Sequence, residues 1–226
     1  MNMKKIISFF IVACCAMCAT AAKVVWQIGV ADNSGTELAL GPSEYKKFLA
    51  HDFGYEDRYF LVGTSVDKND FPYVLPGPDD TWGGTWSTSG WRTHDANILF
   101  GIKKLPKHGK WKLVVDLVDA NPSRSVVKVM VNSAEKKFEI KGHSKGVLEG
   151  NLQDAKEQIL EFPISANDLK KGGNMVTVSV LEGGWIVFDQ IRLEGADELV
   201  LEKNNEYEKV EIKENHTIES VSYTHL

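Results

Sequence analysis

The 226-residue sequence contains three cysteines, and all of them (Cys14, Cys15, Cys18) fall in its first 18 residues. The remainder has no thiol, which excludes disulfide scaffolds, thiolate zinc sites, cysteine nucleophiles and CxxC redox centres from the folded part. GxSxG, GxGxxG, P-loop and HExxH patterns are also absent, so nucleophile-elbow hydrolases, dinucleotide binding and zincin chemistry have no sequence support. The six histidines (His51, His94, His108, His143, His216, His225) include no i,i+2 or i,i+4 pair, so no metal cluster can be read locally. Positive charge is not in excess either. Setting aside Lys4 and Lys5 leaves 24 basic against 31 acidic residues, a net of −7. Such a chain has no general attraction to phosphate backbones, and nucleic acid is not an expected partner. With 31 acidic residues, paired carboxylates for a glycosidase discriminate nothing. Arg92-Thr93-His94-Asp95 is a cluster that could be offered for lyase chemistry, but no catalytic site is recognised and enzymatic activity stays open.

The longest apolar run, Ile6 to Ala19, is shorter than the roughly 20 residues a bilayer span needs, so no membrane span is expected. It follows Lys4 and Lys5 and ends at Ala19-Thr20-Ala21, a small-x-small cleavage site. Residues 1–22 therefore read as a signal peptide of a secreted or periplasmic protein. Ile11-Val12-Ala13-Cys14 also reads as a loose lipobox, with a lipid anchor on Cys14 as the alternative.

Helical periodicity is scarce. Ser43 to His51 places Tyr45, Phe48 and Leu49 on one face, and Ala166 to Lys171 offers a second short helix. The rest reads as strands: Val24–Ile28, Arg58–Val62, Ile98–Lys103, Trp111–Val118, Val126–Val131, Lys137–Ile140, Gln158–Ile164, Met175–Leu181 and Trp185–Leu193. Val176, Val178 and Val180 alternate with Thr177 and Ser179, and KVMVNSAEKKFEI reads as a hairpin turning near Ser133-Ala134. Many short strands without a βαβ rhythm predict an all-β, antiparallel β-sandwich, with the uneven connections favouring a jelly roll, and one or two short helices.

Gly63 to Asp95 breaks the rhythm with a long, aromatic connection, PGPDDTWGGTWSTSGWRTHD at its heart. Trp82, Trp86 and Trp91 stand there among Gly, Thr and Ser, which give the rings little local packing. Sugars present flat C–H faces to such rings and hydroxyls to polar neighbours. Trp82, Trp86, Trp91, Arg92 and His94 are therefore the candidate ligand-binding residues. The competing reading has the same rings filling core under the loop or packing on another domain. Trp26, Trp111 and Trp185 lie in strands and are expected in the core. In the loop from Ala31 to Glu37, Asp32, Asn33 and Glu37 supply oxygens in the density a structural calcium ion takes, or a plain Asx turn. No other cofactor is expected.

VWQIGVADNSGTELAL, FPYVLPGPDDTWGGTWSTSGW and GGNMVTVSVLEGGWIVFDQIRLEG together resemble the carbohydrate-binding-like third domain of rhamnogalacturonan lyases, polysaccharide lyase family four. Trp26, Ile28, Gly29, Asp32, Glu37 and Leu38 match the start of that pattern, and Val187 to Leu193 its end. The resemblance implies a galactose-binding-like jelly roll over residues 23–201 that binds plant cell-wall polysaccharide or oligosaccharide. It also implies a place at the N-terminus of a large secreted pectin-degrading enzyme of gut Bacteroidetes. The family's catalytic residues belong to another domain with no match here, so a missing C-terminal catalytic domain is the expected partner, lyase or glycoside hydrolase. The alternative is a purely structural sandwich docked on that domain. Residues 202–220 then read as a linker or the start of a further domain. Residues 221–226 resemble translated sequencing-adapter DNA, an artefact ending a fragment.

Overall fold

The computed structural model describes residues 22–51, 53, 59–83 and 94–202. Strand alternation builds two sheets from eleven strands: β1 (Lys23–Gly29), β2 (Tyr59–Leu61), β3 (Val74–Leu75), β4 (Asp95–Lys104), β5 (Lys110–Ala120), β6 (Arg124–Val131), β7 (Ala134–Lys141), β8 (Gln158–Ser165), β9 (Gly172–Glu182), β10 (Ile186–Gly195) and β11 (Val200–Glu202). One sheet runs β1-β10-β5-β8, with β3 continuing the β1 edge of β10. The other runs β11-β4-β9-β6-β7, with β2 also on β4. The β2–β4 pairing is parallel, and the remaining strand pairs are antiparallel. The fold is the expected all-β sandwich.

The core fills the space between the sheets. Trp26 and Ile28, Leu113, Val115 and Leu117, Leu160, Phe162 and Ile164, and Ile191 and Leu193 face Ile98, Phe100 and Ile102, Val176, Val178 and Val180, and Val127, Val129 and Val131. Each such side chain contributes about 1.5–3 kcal/mol of burial, so a thiol-free sandwich of this size needs no covalent staple. Trp26, Trp111 and Trp185 lie at 5%, 3% and 2% exposure, in the core as their strand settings implied.

The β6–β7 hairpin turns at Asn132-Ser133, one residue earlier than expected, with Val131 paired to Ala134. Asn132 takes φ 53°, and its side chain ties the turn to β9 by donating to Asn174 Oδ1 (2.9 Å) and accepting from Met175 N (3.2 Å). Two helix expectations fail. Ser43–His51 forms two 3-10 turns, Tyr45–Lys47 and Leu49–His51, instead of one amphipathic helix. Ser43 sits at φ 72°, outside helical space, and so short a segment cannot repay the cost of helix nucleation. Residues 166–171 form a turn, with Ser165 N and Oγ both donating to Asp168 Oδ2 at 2.7 Å. A four-residue helix α1 (Asp67–Asp70) instead lies inside the long connection.

Candidate functional site

The long connection is anchored at its base by an aromatic cluster. Trp82, in a 3-10 turn at Thr81–Gly83, is half-buried, its ring edge-on to Tyr45 (centroids 5.0 Å, 81°) and Phe48 (6.3 Å, 83°). Phe48 also packs on Phe53 (5.7 Å) and on the His94 ring (5.4 Å). Such edge-to-face pairs fix ring orientation beyond what burial alone does. His94 is 6% exposed and its Nε2 meets Gly83 O. A carbonyl only accepts, so Nε2 carries the proton. This bond joins Gly83 and His94, the described residues that flank segment 84–93.

Beneath the cluster, Asp80 is 7% exposed and accepts from Gly77 N at 2.8 Å. Burial pushes its carboxyl up to about 6, against the opposing hydrogen bonds from the Gly77 and Trp185 amides and the Trp82 side chain. Gly77 also lies against the Gly183-Gly184 turn, where an added Cβ would come within 2.3 Å of Gly183 O. Asp80 and His94 are thus committed to holding the loop base. Trp86, Trp91 and Arg92 lie outside the described residues, as do residues 1–21, where the signal peptide and the alternative Cys14 lipid anchor are expected, and the segment from 203 onward. Among the described residues, no helix is long and apolar enough to cross a membrane.

The residues considered for calcium lie along the β10 edge between β1 and β3. Asp32 Oδ1 accepts from Ser34 N (3.0 Å) as an Asx turn, and Asn33 takes φ 60°. Glu37 Oε1 accepts from Val30 N (2.6 Å), while Asp189 Oδ1 receives a second bond from Ser34 N (3.0 Å). These carboxylates are engaged with amides, and no group of three or more His, Cys, Asp or Glu among the described residues could hold a metal ion.

The sheet faces carry polar groups that the sequence reading did not single out. On the outer face of the β1-β10-β5-β8 sheet, Lys112 Nζ reaches Glu161 (2.6 Å) and Glu194 (3.1 Å), and Arg192 Nε reaches Glu194 (2.8 Å). Alternation within β5, β8 and β10 would have found them once the strand pairing was known.

The two stretches that open and close the family-like pattern are hydrogen-bonded neighbours. Trp26 pairs with Leu193, Ile28 with Ile191 and Gly29 with Gln190. Gly29 sits at φ 77°, where an added Cβ would come within 2.2 Å of Asp189 O. The chain is thus a two-sheet sandwich whose opening and closing stretches pair along one sheet edge. The chain belongs to the CBM-like family described as polysaccharide lyase family 4, domain III, which matches residues 24–193. It is similar to a rhamnogalacturonate lyase of Dickeya dadantii (strain 3937), with 24% identity over 183 residues, 76% of this chain and 28% of the lyase. The chain thus spans about 28% of that relative's length. Among solved structures, a family 35 carbohydrate binding module from an environmental isolate aligns with 16% identity and TM-score 0.32, covering 49% of this chain and 69% of that one. The family 35 module of Cellvibrio japonicus Abf62 aligns with 12% identity and TM-score 0.31, covering 48% and 69%.

Proposed function

We propose that this chain is a non-catalytic carbohydrate-binding domain of a secreted enzyme that degrades pectic polysaccharide of the rhamnogalacturonan type. The observation that carries the reading is the family match across residues 24–193. The similarity to a rhamnogalacturonate lyase supports the pectic assignment. At the loop base Asp80 and His94 are both engaged in holding the backbone, Asp80 at Gly77 N and His94 at Gly83 O, which fits a structural use of these two side chains. Trp82 is the described aromatic positioned to contribute at the loop, with Trp86, Trp91 and Arg92 completing the proposed set, while His94, expected among them from the sequence, is buried and holds the loop base instead. The leader exports the protein, with lipidation of Cys14 as the alternative route to the cell surface.

The test is titration of the full chain with rhamnogalacturonan and other pectic oligosaccharides, followed by heat and by tryptophan fluorescence. Saturable binding is expected, weakened at least about tenfold in Trp82→Ala, as loss of a stacking ring in a sugar site does. No heat at millimolar ligand would sink the binding role and favour a sandwich that serves only to dock on a catalytic domain.

A further inference from the structure

Strand β7 ends one side of its sheet: it pairs with β6 and, among the described residues, with no strand beyond. The hairpin fixes which backbone groups are left open. A two-residue turn closes on a hydrogen-bonded pair, here Val131 with Ala134, and such pairs recur at every second residue. Lys136, Phe138 and Ile140 therefore exchange bonds with β6, opposite Val129, Val127 and Ser125. The amides and carbonyls of Glu135, Lys137, Glu139 and Lys141 point the other way, along the free edge. Phe138 and Ile140 face the core, so these four side chains stand on the outer face, and all four are exposed.

An open edge recruits further strands unless proline, charge or a covering segment blunts it. The edge strand of the other sheet, β8, carries Pro163, which has no amide to offer. β7 has no proline. Lys136 turns inward, its Nζ donating to Glu161 O (3.0 Å) and lying 4.6 Å from the Phe138 ring centroid, so its charge is used within the chain and not at the edge. The outward side chains alternate in sign: Glu135, Lys137, Glu139, Lys141.

That alternation selects a partner. With a second β7 laid antiparallel and Phe138 on the two-fold axis, Glu135 meets the partner's Lys141 and Lys137 meets the partner's Glu139, each pair formed twice. Moving the axis by one residue keeps the hydrogen-bonding phase but opposes like charges, Glu135 to Glu139 around Lys137, or Lys137 to Lys141 around Glu139. The single chain also leaves a charge conflict that such a partner relieves. Lys137 stands directly across from Lys128 of β6, a destabilising like-charge pair, and forms no salt bridge among the described residues. Glu139 accepts from Arg124 Nε (3.2 Å) and Nη2 (3.0 Å), and each of its oxygens keeps a lone pair for a second cation.

We propose that the chain forms a two-fold homodimer in which β7 pairs antiparallel with β7 of a second copy, joining the two sheets into one. Pairing over Glu135–Lys141 makes about eight backbone hydrogen bonds, a small interface and so a weak, concentration-dependent dimer. It requires nothing of the sugar-binding reading and stands or falls apart from it.

The experiment is sedimentation equilibrium of the full chain from about 5 to about 500 µM, where a reversible monomer–dimer equilibrium is expected. Lys137→Glu and Glu139→Lys each set two like-charge pairs across the axis, and each alone should weaken dimerisation at least about tenfold with Tm unchanged. Mixed in equal amounts, the two variants should pair with each other as the unaltered chain does, because each substitution then faces the other. Lys137→Glu, which relieves the clash with Lys128, decides the matter if Glu139→Lys fails to fold. A chain that stays monomeric at the highest concentration overturns the proposal. A dimer that neither variant weakens overturns it too and assigns the contact to another face. Weakening by both variants without recovery on mixing overturns the two-fold register.

Discussion

At the scale of single residues, buried acids decide how this fold responds to pH. Asp80 carries a carboxyl raised to about 6, burial being the main cause, and burial is also the first cause of the upward shift at Asp189. An acid whose folded-state value exceeds its unfolded one holds its proton more tightly in the fold. Its stabilising contribution is complete below about pH 4 and is lost as pH rises through about 6. For Asp80 that amounts to about 3 kcal/mol, from roughly two pK units. We expect Asp80→Asn to flatten the fall in stability between about pH 4 and about pH 7. Chemical denaturation of both proteins across that range checks it, and parallel curves would refute it. The sequence announced neither Asp80 nor His94 as buried. Both lie in a stretch of Gly, Asp, Ser and Thr, and what covers them, Phe48 and the Trp185 turn, arrives from far along the chain. By contrast, Trp26, Trp111 and Trp185 stood in or at the start of runs that read as strands, so their setting already implied the core.

At the scale of elements, hairpins were legible and short helices were not. The β6–β7 turn could be read because strand alternation resumes in register on either side of Asn132-Ser133. The apolar spacing of Tyr45, Phe48 and Leu49 fitted a helix. Yet Tyr45 is held by Trp82, and Phe48 by Phe53 and His94, so tertiary contacts outweighed a segment too short to nucleate. Asn132 shows how one residue fixes an element. It occupies the left-handed region, which Asn tolerates better than Ala, and its side chain also donates to Asp168 O at 2.8 Å. Asn132→Ala should cost about 3 kcal/mol, from strain plus lost hydrogen bonds, and Asn132→Gly about 2, from the bonds alone. Urea unfolding measures both. Equal losses would show that backbone strain contributes nothing.

At the scale of the whole molecule, the family-like pattern was readable from its two ends because those ends meet. Strands β1 and β10 pair along the sheet edge, so a Trp-x-Ile-Gly start and a Phe-Asp-x-Ile-Arg-Leu finish constrain each other sterically, most tightly at Gly29 and Asp189. The charged outer face was not readable in this way, since Lys112, Arg192 and Glu194 converge only after β10 pairs with β5. Net charge adds a condition on any pectic ligand. The chain carries −5 overall, so its surface is on balance acidic. A polyuronate approaching such a surface is repelled at long range, whatever short-range contacts it makes afterwards. Salt shortens that repulsion, the Debye length falling below 10 Å above about 0.1 M. Association with a galacturonate-containing backbone should therefore speed up, by about twofold, when salt is raised from about 50 to about 300 mM, while neutral oligosaccharides show no change. Stopped-flow fluorescence with the two ligand classes distinguishes the cases. A galacturonate association rate that falls steeply with salt would mean that a basic surface, not the acidic one described, meets the polymer first.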